Sequence, residues 1–580
     1  MSTRHQVAYE FGKFRVLPAD KQLLRAGKPV PLKPKVFETL LLLVESRGHL
    51  IEKEEFLKRL WPDSFVEEAT LAQNISQLRK ALGNGTEEDR FIETVPKRGY
   101  RFLATVEVTG TESYEVPSRV VLAVLPFENL GADPNREYLA DGLTDEVIAS
   151  LGRVDPQQLS VIGRTSMMAY KRTTKSLAEI GRELGAEFLV ESSMGAEGGR
   201  IRITSKLIRV RDQVQIWSAS YDSEPVSVLE FQRELSTTIA HEVQMQFSPE
   251  RLSALARRQT RQVEAYDLYL RGRYFWNQLS PVTTRRAVEY YTRATELDPE
   301  YALAWSGLAD AYAASPINGD APPLQAWPRA ADAAARALRA RPDLAETQNS
   351  VGLVKFWLDW DWPAAETALR EAIALDPSYP LAHRNLGIVL SHAGRREEAR
   401  SAVRRARELD PLYAPHVALS SQIEFNARDY SAAIQFARQA TILDPGFSIG
   451  YIQLAQAYVQ LGDSDLALEA LNNAGRFSSN SKLIALRGCL FAKLGRAEEA
   501  RAVLQTLEIA SHERYVPRYA TALVHASLGE REAAFKWLDQ AYDARDVHLV
   551  FLPVDPKWDA FRAESRFLAL LTRCGFFRQD

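Results

Sequence analysis

Leu-Asp-Pro closes a run of helix-forming residues at Pro377, Pro411 and Pro445, and the intervals 411−377 and 445−411 are both 34. Pro299 and the variant Arg341-Pro342 extend the series upstream. Proline has no amide N–H and clashes with the preceding turn, so each marks a helix end. Within Ser378–Pro411 the small residues Gly387, Gly394, Ala399 and Ala406 hold fixed places, and Gly488, Gly495 and Ala500, then Gly529, Ala534 and Ala541, recur later. A unit this short cannot bury its own apolar face, so the period predicts helix pairs stacked into an all-α solenoid, here over 263–575. Two early units carry insertions, including Pro316–Pro328.

The inner face of such a solenoid offers a surface. Gln422 and Gln456 are equivalent across one period, as are Asn426 and Gln460, with Arg384 and His392 one unit earlier. Amides carry both donors and acceptors, so a ladder of them suits the backbone of an extended peptide. A protein partner is therefore expected for this region, although a merely hydrophilic face gives the same pattern.

The first 106 residues differ in kind. Lys and Arg number 18 there against 14 Asp and Glu, a local +4 in a chain of net charge −3. No global field draws the chain to nucleic acid, so any basic surface is local. Residues 68–82 separate onto two faces at helical spacing: Leu71, Ile75, Leu78 and Leu82 form a stripe, opposite Gln73, Ser76, Gln77 and Lys80, with Asn74 and Arg79 on the flanks. Gln and Asn pair two-point with adenine edges and cations meet phosphate, which is the chemistry of a major-groove reader. An ordinary solvated helix also has a polar face. Residues 91–106 then read as two alternating strands joined at Pro96-Lys97-Arg98-Gly99, a hairpin with two cations at its tip. Upstream, Val7–Val16 and the turns at Pro18-Ala-Asp20 and Gly27-Lys-Pro29 predict short strands. Pro34 opens a helix running to Gly48, Glu52–Leu60 forms a second, and Gly83-Asn-Gly85 stops the third.

In the middle of the chain, 108–119 reads as a polar linker and 120–247 as an α/β domain with a trailing helix. Its helices are expected at Tyr138–Leu151 and Ser176–Leu184, and its last strands at Arg200–Val210 and Val214–Tyr221. Asp141, Asp145 and Glu146 cluster as catalytic or metal-binding acids do. However, Asp145 and Glu146 follow Thr144 at what reads as a helix start, where unpaired N–H groups favour acids. Glu197-Gly-Gly199 reads as a hairpin turn, since no Lys-Ser/Thr follows as in a phosphate loop. No catalysis, cofactor or metal is expected. The two cysteines, Cys489 and Cys574, indicate a reducing compartment. The longest apolar runs, Val120–Phe127 and Val547–Val554, are far short of the roughly 18 to 20 residues a membrane helix needs. The protein is expected to be cytoplasmic, with no membrane segment.

Leu-Arg-Lys-Ala-Leu at 78–82 together with Val-Pro-Lys-Arg-Gly-Tyr-Arg-Phe at 95–102 resembles the winged helix-turn-helix of OmpR/PhoB-type transcription regulators, especially the CadC-like branch. That resemblance implies an α+β DNA-binding module over 1–107 and double-stranded DNA as partner; in that family the loop before the third helix can touch RNA polymerase, although Asp63, Glu67 and Glu68 read more simply as solvated charges. Base contacts are expected from Asn74 and Gln77, neighbouring groove contacts from Thr70, Gln73 and Lys80, a phosphate contact from Arg79, and minor-groove or flanking phosphate contacts from Lys97 and Arg98. Val-Leu-Pro-Phe-Glu-Asn at 124–129, Leu-Ala-Asp-Gly-Leu-Thr-Asp-Glu at 139–146, Arg-Thr-Ser at 164–166 and Ile-Trp-Ser-Ala-Ser-Tyr-Asp at 216–222 make the middle similar to TolB-like domains. The 34-residue period is that of tetratricopeptide (TPR) repeats. No phospho-acceptor domain is read ahead of the winged helix, so control is expected from the C-terminal side. One winged helix offers only roughly 600 to 1,000 Å² of interface, which makes two chains on adjacent half-sites the expectation. The rival reading is a TPR scaffold whose winged helix no longer binds DNA.

Overall fold

Gly12 adopts φ +54°, which glycine reaches without steric cost, and it splits the first alternating run into β1 (Ala8–Phe11) and β2 (Phe14–Leu17). In this computed structural model the described residues are 8–17, 22–25, 28–30, 32–46, 50–60, 68–83, 91–96, 98–104, 106–109, 119–131, 136–154, 156, 158–197, 200–223, 235, 238–239, 242, 260, 262–278, 280–317, 321–478 and 480–576. The turns at Pro18-Ala-Asp20 and Gly27, the loop residues Asp63 and Glu67, the side chain of Glu68, Asn84-Gly85, Lys97, positions 110–118, Gly198-Gly199 and most of 224–259 lie outside them. The chain forms two compact units, 1–118 and 119–580.

In the first unit, β3 (Gln22–Arg25) and β4 (Lys28–Val30) continue an antiparallel sheet of order β4-β3-β2-β1-β8. The last of these, β8 (Glu107–Thr109), pairs with β1, so the sheet runs on through 108 and 109, the first two residues of the stretch read as linker. Helices α1 (Pro34–Glu45), α2 (Lys53–Leu60) and α3 (Glu68–Leu82) follow, with Pro34 in the first turn of α1. A second sheet has β7 (Gly99–Phe102) between β5 (Leu50–Glu52) and β6 (Ile92–Val95). The stripe Leu71, Ile75, Leu78 and Leu82 is buried against Leu40 and Phe56. Phe11, Phe14, Phe91 and Phe102 join the first sheet to the hairpin, with Phe11 and Phe102 edge-to-face at 4.9 Å.

The second unit opens with a mixed sheet. Parallel strands β11 (Leu159–Val161), β9 (Val120–Val124) and β12 (Phe188–Glu197) are extended by antiparallel β13 (Arg200–Arg209) and β14 (Val214–Ser223), and short β10 (Glu128–Asn129) pairs with β12. Helix α4 spans Glu137–Val154, α5 Arg164–Met168 and α6 Leu177–Leu184, the last with the capping box of Ser176 and Glu179. Thr144, Asp145 and Glu146 therefore stand inside α4 and cap nothing. Thr144 Oγ1 bonds Ala140 O and accepts from Phe127 N, both at 2.9 Å, while Asp145 pairs with Arg273 of the first solenoid helix. Asp141 pairs with Lys171, so two of the three clustered acids meet cations.

From Val263 to Asp543 the described helices form eight consecutive pairs, beginning with Val263–Trp276 and Pro281–Leu297 and ending with Arg518–Ser527 and Arg531–Asp543. The segment read as an insertion at 316–328 is largely helical: Pro316 lies in the last turn of Ala302–Ile317 and Pro328 inside Pro323–Ala340.

The sheet region and the solenoid share one unit because they interlock. Gly142 on α4 faces Leu270, where a Cβ would come within 2.9 Å, and Tyr138 takes Arg271 over its ring at 4.1 Å. At the α5 end Gly163 N donates to Leu409 O at 2.6 Å, Ser166 N to Asp410 Oδ1 at 2.7 Å, and Leu412 N to Ser166 Oγ at 2.8 Å. The Leu-Asp-Pro that ends a repeat helix thus doubles as the dock for Arg164-Thr-Ser166.

The solenoid also folds back on itself. After Asp543 the short helices Val547–Phe551 and Pro556–Phe561 and the helix Ser565–Arg573 return to much earlier repeats. Arg545 donates to Leu358 O and Asp359 O at 2.8 and 3.0 Å, its guanidinium lying over Trp327 and Trp360. Arg428 pairs with Asp559 at 2.6 Å, and Trp362 stacks on Phe576 at 4.7 Å.

Candidate nucleic-acid interface and the solenoid interior

Burying one stripe of α3 against α1 and α2 leaves its opposite face to solvent: Gln73, Ser76 and Lys80 are exposed, and Thr70 and Gln77 half-buried. Asn74, expected on bases, is turned inward. It is 7% exposed, and its Nδ2 donates to Thr39 Oγ1 at 3.1 Å and Lys35 O at 3.4 Å. Reaching a base edge would forfeit both bonds inside the core, at about 1 to 3 kcal/mol, so Asn74 is a packing residue that registers α3 against α1. Arg79 is likewise engaged: its Nη2 donates to Ile92 O at 3.0 Å and Thr94 Oγ1 at 2.7 Å, fastening α3 to β6. Its place is between helix and hairpin, where the expectation had put phosphate.

The hairpin is set close against β5. A Cβ at Gly99 would lie 1.9 Å from Ile51 O, so only glycine fits, and Lys53 N donates to Arg98 O at 3.0 Å. Arg98 is exposed, with Glu52 3.7 Å away, a separation at which a solvated pair holds little energy. Lys97 lies outside the described residues.

The solenoid amides are brought together, but onto one another. Gln422 Nε2 donates to Asn426 Oδ1 at 2.8 Å, Asn426 Nδ2 to Ser391 Oγ at 3.1 Å, and Gln453 and Gln456 both donate to Gln422 Oε1, at 2.8 and 3.2 Å. Lys557, from the returning C-terminal segment, donates to Gln456 Oε1 at 3.1 Å. The peptide ladder is corrected accordingly: these amides satisfy each other, and the returning segment occupies part of the inner face. Gln460 accepts from Lys493 at 3.1 Å. Sequence reading missed Gln453 because it lies 31 residues from Gln422, off the 34-residue register. It missed Lys482 and Lys557 because no repeat equivalence points to them.

A partly enclosed cavity of about 270 Å³ remains, and Arg384, His392, Gln422 and Gln456 line it with Lys482 and Lys557. Burial pushes the His392 imidazole down to about 4, leaving it neutral, and pushes the Lys482 ammonium down to about 8. No group of three or more metal-ligating side chains occurs among the described residues.

Residues 27–102 match the family of transcriptional regulatory proteins, C terminal; 118–238 match the second domain of HilA/YgeH-like transcriptional regulators; and 361–414 and 450–474 match tetratricopeptide repeats. These define the class by its parts: a domain similar to the C-terminal part of transcriptional regulatory proteins, a domain similar to the HilA/YgeH-like second domain over the region read as TolB-like, and TPR repeats. Among particular proteins, the chain is similar to the transcriptional regulator HilA of Salmonella typhimurium, 24% identical over 403 residues, 69% of this chain and 70% of HilA. It is similar to a putative adenylate cyclase 3 of Rhizobium meliloti, 30% identical over 288 residues, 50% of this chain but only 43% of that relative. The third is the transcriptional activator CadC of Escherichia coli, 31% identical over 102 residues, 17% of this chain and 20% of CadC. No helix among the described residues is long and apolar enough to cross a membrane.

Proposed function

We propose that the chain is a sequence-specific, DNA-binding transcription regulator without catalysis of its own, controlled through its C-terminal unit. The observation that carries this reading is the outward face of α3: Gln73, Ser76 and Lys80 stand exposed opposite a fully buried stripe, beside a hairpin held at a fixed angle by Gly99 and Arg79. In this reading α3 enters the major groove, with Gln73, Gln77 and Lys80 at base edges and Thr70 at its N-terminal end. Arg98 and Lys97 attract the flanking backbone or minor groove. Both similarity to HilA and CadC and the match to the regulatory family support it. RNA polymerase contact is assigned to the loop around Asp63, and a protein partner of the repeats to their outer helices, since the inner amides are used internally. Two chains are proposed to occupy adjacent half-sites.

Mobility shift of the full chain on duplexes selected from a random pool, with scrambled duplexes as competitor, tests the function. A preference lost with α3 substitutions is expected. Equal binding to every duplex, or none, favours a scaffold whose winged helix does not read DNA. A footprint confined to one half-site at saturation contradicts the paired arrangement.

A further inference from the structure

The solenoid cavity carries a charge imbalance that its own residues leave unanswered. Three cations line it, Arg384, Lys482 and Lys557, against one carboxylate, Asp555. That carboxylate is taken: Asp555 Oδ2 pairs with Lys557 at 2.8 Å and accepts from Tyr519 at 3.3 Å. Lys482 is held differently. Its ammonium forms no hydrogen bond or ion pair with any described residue and lies 5.5 Å from the centre of the Phe551 ring. Asp546, whose charge it feels, is committed to His548 at 2.8 Å and to Tyr519 N at 2.9 Å. The Lys482 side chain is half-buried, and holding a cation partly out of water without a partner is costly.

His392 also lines the cavity. His392 is 3% exposed, its Nδ1 bonds Ile388 O at 2.8 Å, and its Nε2 has no partner. The remaining lining is apolar, with Ile388, Leu419, Ile452, Leu486 and Phe551 among it. The volume is near the lower end of the roughly 300 to 1,000 Å³ of small-molecule sites, which pair an apolar lining with a few placed polar groups.

We propose that this cavity binds a small organic carboxylate with a largely apolar body, the carboxylate seated on Lys482. The returning C-terminal segment forms one wall, through Phe551, Asp555 and Lys557, so the site exists only because the solenoid closes on itself. The site is independent of whether the winged helix reads DNA.

The full-length chain tests it with N-phenyl-1-naphthylamine, an uncharged fluorescent probe with an apolar body, displaced by octanoate or by uncharged octanol. Octanoate is expected to displace the probe at a concentration at least about tenfold lower than octanol, the margin of a charge-assisted contact in a dry site. In Lys482→Met this preference disappears while octanol displacement is retained. Because the substitution removes a half-buried ammonium that has no hydrogen-bond or ion-pair partner and keeps an apolar stem of similar length, K482M is expected to melt no lower than the wild type without ligand, which separates lost recognition from lost folding. Equal displacement by octanoate and octanol in the wild type, a preference that survives in K482M, or a lower melting temperature for K482M overturns the proposal.

Discussion

Asn74 and Gln77 are both amides, three residues apart on one helix, and the structure buries the first and leaves the second half-exposed. Asn74→Ala removes buried bonds to Thr39 and Lys35 O, so it is expected to lower stability by about 1 to 2 kcal/mol, read as the denaturation midpoint of the N-terminal unit. Gln77→Ala is expected to leave that midpoint unchanged and to narrow discrimination against a mismatched site by about 1 to 3 kcal/mol. A stable Asn74→Ala that loses specificity reverses the assignment. Gly99→Ala forces a Cβ against Ile51 O and is expected to cost about 2 kcal/mol or more, read in the same way. The apolar stripe of α3 was legible because it repeats at helical spacing. The fate of its flanks was not, since a helical wheel cannot tell which flank α1 covers.

At the scale of elements, the 34-residue period located the helix pairs because it records contacts between neighbours in sequence. The same period is silent about contacts across hundreds of residues, so neither the docking of α5 on Asp410 nor the return of the C-terminal segment was legible. The acids at 145–146 show the same limit: a local rule put them at a helix start, whereas Asp145 pairs with Arg273 of the solenoid and Arg164 of α5. Burial, with the neighbouring Asp145 adding to it, pushes Glu146 up to about 7 from an ordinary 4.5, against opposing pulls from Arg153 and Arg273 and a further push from Glu346. The native state therefore holds a proton that the unfolded chain releases, so this stabilisation is complete below about pH 4.5 and is lost as pH rises through 7. Glu146→Gln is expected to raise the melting temperature relative to wild type at pH 8 and to change it little at pH 4.5; a larger gain at the acid end contradicts the sign. Ser166→Ala strands part of Asp410 and is expected to loosen the sheet region from the solenoid, giving two thermal transitions for the second unit where the wild type gives one.

At the scale of the whole chain, the proposed roles, a helix that reads through neutral amides and a hairpin that attracts through cations, divide recognition into two parts that salt separates. Neutral side chains release no counterions, whereas each phosphate neutralised by Lys or Arg adds nearly one unit to the slope of log affinity against log salt. Affinity of the full chain, measured at several salt concentrations on a selected duplex and its scramble, therefore compares Gln73→Ala with Gln77→Ala against Lys97→Ala with Arg98→Ala. The amide double mutant should bring specific and non-specific binding together with the slope nearly unchanged, and the cation double mutant should weaken both and flatten the slope by up to about two units. The same slope and the same specificity ratio in both mutants would contradict a helix that reads and a wing that attracts.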